Sequence, residues 1–342
     1  MVEASAEVLQ TETASNGGTA NHLTVTNLPL TNRSFTQILQ LSPGVASQLP
    51  NAGSLGRATV DVNVNGTRVA DNSYQIDGEE ASNPQEQGTG GVYAEAGISI
   101  PSPDAIEEFR IQTSQYDATY GRGAGANVDV VTKSGTNTFH GDAFEFLRNT
   151  DLNANNFFLN LAGQPRPVLN QNQYGGTLGG PIFKDKLFFF ISYQGTEQKN
   201  GQGSTSLQSF QMPLLSNSAS GRTAQALGAE FGGQAGFRGG TKIAANGSNI
   251  NPVALALLNY KLPNGNYLIP APQTVQNASN VSTGGFSSFS VPSAFHEDQA
   301  IGNLDYFLSA KNRISGKYFW SRDTQTAAFS TTDSGSRTRL AV

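Results

Sequence analysis

The chain has 342 residues, a net charge of −5, 14% charged residues and no Cys. That balance offers no basic patch for nucleic acid, and the missing Cys excludes disulfides, thiolate metal sites and Cys nucleophiles. The longest aromatic-aliphatic run, residues 187–191, is far short of the ~20 residues of a membrane helix, so any spanning structure must be a β-barrel.

Residues 1–23 are polar and read as a flexible lead-in. They hold neither a basic n-region nor an apolar h-region, so an export leader is expected upstream or already removed, and Met1 is not read as the natural start. Leu28-Pro29-Leu30 leads to the candidate N-cap Thr31-Asn32. The apolar stripe Phe35, Ile38, Leu39 and Leu41 follows, and Ser42-Pro43-Gly44 stops that short helix. Residues 57–65 (RATVDVNVN) alternate, with Ala58, Val60, Val62 and Val64 on one face. Residues 66–72 form a loop, and 73–76 a short strand that ends in the turn Asp77-Gly78. The stretch 79–99 is a long polar loop. One helical turn at 103–106 precedes a strand at 107–113, with Phe109 and Ile111 on one face, and a glycine corner precedes a strand at 126–132. Together these pieces make a small α+β module.

From residue 138 the pattern changes to long segments of period two. In 138–148, Phe144 and Phe146 stand opposite Gly141, Ala143 and Glu145. In 173–182, Tyr174, Gly176, Leu178 and Ile182 share a face. In 187–196, Leu187, Phe189, Ile191 and Tyr193 stand opposite Phe188, Phe190, Ser192, Gln194 and Thr196. Ala300, Gly302, Leu304, Tyr306 and Leu308 share a face in 299–308, as do Ile314, Gly316, Tyr318 and Trp320 in 313–322.

The connections alternate: 149–170 long, 183–186 tight, 195–295 long, 309–312 tight. Outer-membrane barrels alternate in this way between long outer loops and short inner turns. Phe188, Phe189, Phe190, Tyr318, Phe319 and Trp320 are placed as an interfacial aromatic girdle. Apart from a helix at 252–260, the stretch 195–295 has no clear period, which suits a loop outside a barrel better than a loop inside a compact soluble domain.

These residues resemble TonB-dependent outer-membrane receptors at the junction of plug and barrel. The resemblance rests on Gln75-Ile76-Asp77-Gly78, on 105–109 (AIEEF), on Tyr120-Gly121 with Gly123 and Gly125, and on 127–133 (NVDVVTK). Residues 134–148 (SGTNTFHGDAFEFLR) are similar to the first barrel strand of the Oar-like subgroup, and 2–45, 180–193, 251–264 and 303–320 also look like that subgroup. The resemblance implies an α+β plug domain at 24–135, followed by antiparallel transmembrane β-barrel strands at 138–342 with a large extracellular loop at 195–295. About five strands are read, against about 22 in barrels of that family, so the barrel is incomplete and the chain is read as an N-terminal piece.

The implied role is energised uptake of a nutrient across the bacterial outer membrane, with TonB, outer-membrane lipid and an unknown extracellular ligand as partners. Tyr120, Gly121, Gly123, Gly125 and Lys133 mark the junction. The family's apical plug loops touch ligand, which makes Arg68, Asp71, Asn72, Asn83, Gln85, Gln87 and Tyr93 candidate substrate contacts. Where many siderophore and vitamin transporters carry Arg-Gly-Pro, residues 112–119 read QTSQYDAT, so their ligand assignments are not carried over. Only residues 7–10 (EVLQ) offer a weak TonB box. An outer-membrane scaffold or adhesion protein on the same fold is the alternative.

No cofactor, metal or catalytic constellation is read, and no enzyme activity is expected. Residues 121–126 (GRGAGA) lack the following helix that a dinucleotide site needs. Asp77-Gly78-Glu79-Glu80 lacks the spacing of a calcium loop and reads as a solvated turn. His22, His140 and His296 lie far apart, and Glu107 and Glu108 point to opposite faces of a strand.

Overall fold

The computed structural model describes residues 16–28, 30, 33–47, 62–68, 71–81, 101–116, 120–121, 124–161, 163–203, 206–235, 239–278, 281–309, 311–326 and 329. It divides into two units, one of residues 1–153, 167–205 and 292–342, the other of residues 154–166 and 206–291.

The first unit begins with a small sheet of β1 (Asn16–Asn21), β4 (Ser73–Ile76), β5 (Glu79–Glu80), β6 (Ile106–Ser114) and β7 (Asn127–Thr132), in the order β1-β6-β7-β4-β5. Only the β4–β7 pair is parallel. Helix α1 (His22–Asn27), a 3₁₀ segment (Phe35–Leu41) and the two-stranded ribbon β2 (Val45–Ser47) and β3 (Val62–Val64) complete the module. Its core gathers Val25, Ile38, Leu39, Val62, Val64, Tyr74, Phe109, Ile111, Val128 and Val130, all buried. Phe109 and Ile111 share the buried face of β6 as their spacing requires. Glu107 and Glu108 are both exposed, because a bulge between Ile106 and Glu108 breaks the alternation that would have opposed them.

The polar lead-in is not wholly loose. Residues 16–21 pair with β6 as an edge strand, and Asn21 caps α1 by accepting from the Thr24 N–H at 3.0 Å. The sequence NGGTAN shows no apolar alternation because this strand is held by its backbone. A Cβ on Gly17 would collide with the Ile111 carbonyl and stand 3.0 Å from Gln112 Cα, so glycine admits the close approach. The helix expected after Thr31-Asn32 is a 3₁₀ segment whose N-cap, Ser34, makes no side-chain capping bond; Thr31 and Asn32 lie outside the described residues. Ile38 and Leu39 are buried, whereas Leu41 is exposed. Of the alternating 57–65 segment only 62–65 are described, with Val62 and Val64 buried and Asn63 exposed. The long polar loop at 79–99 starts as strand β5, joined to β4 by Asp77 (φ 54°) and Gly78 (φ 87°). Two left-handed residues make the tight turn that matches strand twist, which is why Asp-Gly stands there.

Five long antiparallel strands follow: β8 (His140–Arg148), β9 (Leu169–Phe183), β10 (Leu187–Asn200), β14 (Ser293–Ser309) and β15 (Asn312–Gln325), in the order β15-β14-β10-β9-β8. The sheet is not closed among the described residues. Its burial is inverted relative to a soluble sheet. Gln171, Gln173, Thr177, Ser192, Gln194, Thr196, Gln299, Asn303 and Asp305 are buried on one face, while Leu178, Ile182, Ile191, Leu304, Tyr306, Ile314, Tyr318 and Trp320 are exposed on the other. From Tyr174 to Ile182 and from Ala300 to Leu308 the outward row is apolar, aromatic or glycine. About nine residues at ~3.4 Å each and a tilt of ~40° cover roughly 23 Å, close to the ~25 Å apolar band of an outer-membrane barrel. Tyr193 ends that band by donating to Asp298 Oδ1 at 2.6 Å, and His296 Nε2 lies 2.9 Å from Asp298 Oδ2 just above.

The aromatic girdle is thinner than the run of aromatics suggested. Phe188 and Phe190 are buried on the inward face, and Phe319, opposite inward Ile301, packs in a small cluster with Ala105, Phe190 and Ile301. Phe144 and Phe146 are inward too, beneath the guanidinium of Arg33 at 4.7 and 4.0 Å. Arg33 is buried and ion-paired with Asp104. No described helix is long and apolar enough to cross a membrane.

The second unit corrects the reading of 195–295 as one long loop without clear period apart from a helix at 252–260. Residues 195–200 finish β10 and 293–295 begin β14. Between them β11 (Leu207–Met212), β12 (Thr274–Ala278) and β13 (Val281–Ser290) form a sheet in the order β11-β13-β12. The unit also holds α2 (Phe157–Leu161), α3 (Ala224–Phe231) and α4 (Pro252–Asn259), the last close to the expected helix. Its strands are rich in Ser, Gln and Gly, which hides their period. Arg222 serves as a polar hub, fully buried, donating to the carbonyls of Ser216 (2.6 Å), Leu258 (2.6 Å) and Ile269 (2.8 Å) and lying 3.8 Å from the Tyr267 ring centroid.

Because β1 covers one edge of the small sheet, a fragment of residues 16–135 should melt cooperatively and elute as a monomer. A fragment starting at Thr24 exposes the β6 edge and should lose several degrees of melting temperature or associate. Gel filtration with circular dichroism on the two fragments checks this.

Candidate functional site

The two sheets of the first unit meet through a polar network centred on Asp77. The β4–β5 turn presents its carboxylate to the end of β7, where Oδ1 accepts from the Thr132 N–H at 2.9 Å and Oδ2 from the Thr132 hydroxyl at 2.6 Å. Lys317, on the inward row of β15, donates to Asp77 Oδ1 at 2.5 Å and reaches Thr132 Oγ1 at 3.4 Å. Asn303, on the inward row of β14, donates through Nδ2 to Thr132 Oγ1 (2.9 Å) and to the Lys133 carbonyl (2.6 Å). One threonine hydroxyl thus donates to Asp77 and accepts from both long strands.

The chain then turns into β8. A Cβ on Gly135 would collide with the Phe189 carbonyl and lie 2.8 Å from the Gly180 carbonyl, so the connection rests on the wall backbone where only glycine fits. Lys133 is buried. Its N–H donates to the Ala105 carbonyl at 2.9 Å, and its ammonium lies 3.1 Å from His22 Nε2. His22 Nδ1 stands 3.1 Å from the Ile106 carbonyl, which makes Nδ1 the protonated nitrogen and Nε2 the acceptor. Burial holds the Lys133 ammonium below the ordinary lysine value of 10.5, against the opposing pull of Asp142, Asp104 and Glu107.

Of the junction residues read from sequence, Lys133 meets the long sheet through its carbonyl. Tyr120 donates to Asp129 Oδ2 at 3.1 Å within its own sheet. Gly121 faces open space, and Gly123 lies outside the described residues. Gly125 is needed for a close approach, since a Cβ there would meet Asn72 Oδ1 and stand 2.9 Å from the Asp71 carbonyl.

That approach removes Asn72 from the candidate ligand contacts. Asn72 is buried, donating through Nδ2 to the Val62 carbonyl and accepting at Oδ1 from the Ala126 N–H, each at 2.9 Å. Its amide braces the loop from within. Arg68 and Asp71 do come together: the Arg68 N–H donates to Asp71 Oδ2 at 3.1 Å, and Nε lies 3.7 Å from the same oxygen, with the Arg68 side chain 90% exposed. Asn83, Gln85, Gln87 and Tyr93 lie outside the described residues.

Sequence reasoning missed Asp77, Gly135, Asn303 and Lys317. Asp77 was expected to be a solvated turn residue; Thr132 and Lys317 occupy it instead. The inward phase of Asn303 and Lys317 was readable from alternation, but their partner, some two hundred residues away, was not.

A small sheet bonded at the ends of its strands to the inward face of long strands with an apolar outer row is the arrangement of a plug against the wall strands of a membrane barrel. Profiles of two families match the chain: the TonB-dependent Receptor Plug Domain over residues 22–128 and the Outer membrane beta barrel domain over residues 131–340. The chain belongs to the outer membrane beta barrel domain family, carries a TonB-dependent receptor plug ahead of its barrel strands, and is a protein of the bacterial outer membrane. Over 166 residues it is 33% identical to the TonB-dependent transporter Oar of Myxococcus xanthus, an alignment covering 47% of this chain and 14% of that protein. The fold is similar to that of the outer membrane transporter YddB of Escherichia coli, with a TM-score of 0.53 and 12% identity over 91% of this chain and 33% of that one. The matches thus span a minor part of either relative.

Two outcomes follow. In a double-mutant cycle, Asp77→Asn and Lys317→Met should couple by about 1–3 kcal/mol, since a charge-assisted bond is shared at a half-buried site; urea unfolding in detergent measures it. Because folding lowers the proton affinity of Lys133, its burial costs stability while the group is charged, and the cost fades as pH rises towards 10.5. Relative to Lys133→Met, the parent should therefore gain stability as the pH is raised towards 10.5.

Proposed function

We propose that the chain forms the plug and the first wall strands of a receptor that takes up a nutrient through the outer membrane, with TonB supplying the energy. In this reading residues 16–135 act as plug, an extension of the expected 24–135 to include β1. Residues 138–342 supply wall strands whose outward row meets lipid, and the second unit stands outside the cell. Ligand is captured by the apical loops around Arg68 and Asp71 and by Asn83, Gln85, Gln87 and Tyr93. TonB then pulls the segment before β1, the Asp77–Lys317 and Asn303–Thr132 bonds open, and cargo passes between plug and wall. The reading involves no covalent chemistry and no cofactor. The observation that carries it is the polar network joining β4 and β7 to β14 and β15, a closure that water can replace.

The reading is tested by locking that closure. This chain has no Cys, so Asp77→Cys with Lys317→Cys introduces its one thiol pair, which a reductant-cleavable bis-maleimide long enough to span a lysine side chain can bridge. In the complete receptor the bridged pair should abolish TonB-dependent uptake, and reductant should restore it. Uptake unaffected by the formed bridge would sink the rearranging plug. Failure of the TonB periplasmic domain to co-purify with the receptor would favour a scaffold or adhesion role.

A further inference from the structure

A cavity of about 530 Å³ lies in the seam between α1 and the inward face of β8 and β9. One side is apolar, with Val25, Leu28 and Leu30 on it; the other carries Arg148, Gln171 and Gln173. Arg148 and Gln171 are direct cross-strand partners, which sets their Cβ atoms about 5 Å apart. Gln171 is 3% exposed, yet among the described residues neither its amide oxygen nor its amide nitrogen has a partner, and the Arg148 Nη1 is buried without one. Two neighbours able to satisfy each other leave three polar atoms unused at one cavity wall. Buried polar groups in native proteins are seldom left so, and such an arrangement suits a third group placed between them.

The charge points the same way. The nearby Arg33 is neutralised by Asp104 and lies over the Phe146 ring at 4.0 Å. Arg148 has no ion pair among the described residues. A guanidinium beside an amide favours a planar carboxylate, which accepts from Arg148 Nη1 and Gln171 Nε2 and leaves the Gln171 amide oxygen to accept from a second guanidinium N–H. The aliphatic side chains opposite favour a hydrocarbon portion over a bare inorganic anion.

We propose that this cavity binds a small organic carboxylate, its carboxylate bridging Arg148 and Gln171 and its hydrocarbon lying against Val25, Leu28 and Leu30. Occupancy would tie α1 to the wall at a place separate from the Asp77 network. The proposal does not rest on the transport reading, since binding is measured on this chain without TonB.

The test is isothermal titration of the 342-residue chain in detergent micelles with hexanoate, hexanol, hexylamine and inorganic phosphate. Hexanoate should bind saturably at one site, the other three at least ~10-fold more weakly, and Arg148→Met should lose a similar factor. Gln171→Leu covers the case in which Arg148→Met fails to fold. It should weaken hexanoate while raising the melting temperature of the unliganded protein, because it removes two unsatisfied buried atoms. Absence of hexanoate binding, equal binding of hexanol or phosphate, undiminished binding by either variant, or a lower melting point for Gln171→Leu would each overturn the proposal.

Discussion

A strand that crosses lipid has no water to satisfy its N–H and C=O groups, so each must be bonded sideways to a neighbour. The long sheet follows from that requirement. Strands β9 and β10 pair in one register from Leu169↔Asn200 to Pro181↔Phe188 and shift only beside the turn, where Leu187 faces Phe183, and β10 pairs with β14 along its whole length. Once pairing fixes the register, alternation decides chemistry. Leu178, Ile191, Leu304 and Tyr318 go outward, while Thr177, Ser192, Asn303 and Lys317 go inward. The polar inward row is thus a by-product of lipid on the other side, and the plug has to be a partner for it.

The plug meets that row with polar groups at the ends of its own strands. Asp77 sits in a turn whose left-handed residues bring the carboxylate back to Thr132, the last residue of β7. Gly135 then lets the chain run against Phe189 and Gly180 before it enters β8. The small cluster of Ala105, Phe190, Ile301 and Phe319 adds an apolar contact at this seam.

The faces of the long strands were legible in the sequence because each carries a regular row. The rows did not say which aromatics look out. Phe188 and Phe190 follow the inward phase despite being apolar, because Phe190 packs with Ala105 of the plug and Phe188 edge-on with Phe307, and Phe144 and Phe146 lie beneath Arg33. β1 was hidden because NGGTAN pairs through its backbone, and the second unit because Arg222 and Ser-rich strands replace an apolar pattern. In the site, Lys133 and Gly125 were legible as part of a motif. The burial of Asn72 was not, since it depends on Val62 of β3 and on Ala126, just before β7, reaching it from elsewhere in the sequence. Asp77 was misread for the same reason: a turn carboxylate looks solvated until its partner, Lys317, is brought to it by the register of β14 and β15.

The polar character of the seam bears on how a plug can leave and return. An apolar seam is held by ~25 cal/mol for every Å² of surface hidden from water, and all of that is lost on opening. A neutral hydrogen bond exchanged for water costs only about 0.5–1.5 kcal/mol net, and one between charged groups about 1.5–3 kcal/mol, although each is directional and tolerates little misplacement. Bonds from Asn303 and Lys317 therefore define one seated position sharply while leaving each step of release shallow. Lys133 adds to this economy, since its charge is held at the seam against desolvation and would regain water in the plug rearrangement proposed above. The same wall that must be rigid towards lipid is, on its inner face, built from contacts that can be broken one at a time and remade in register.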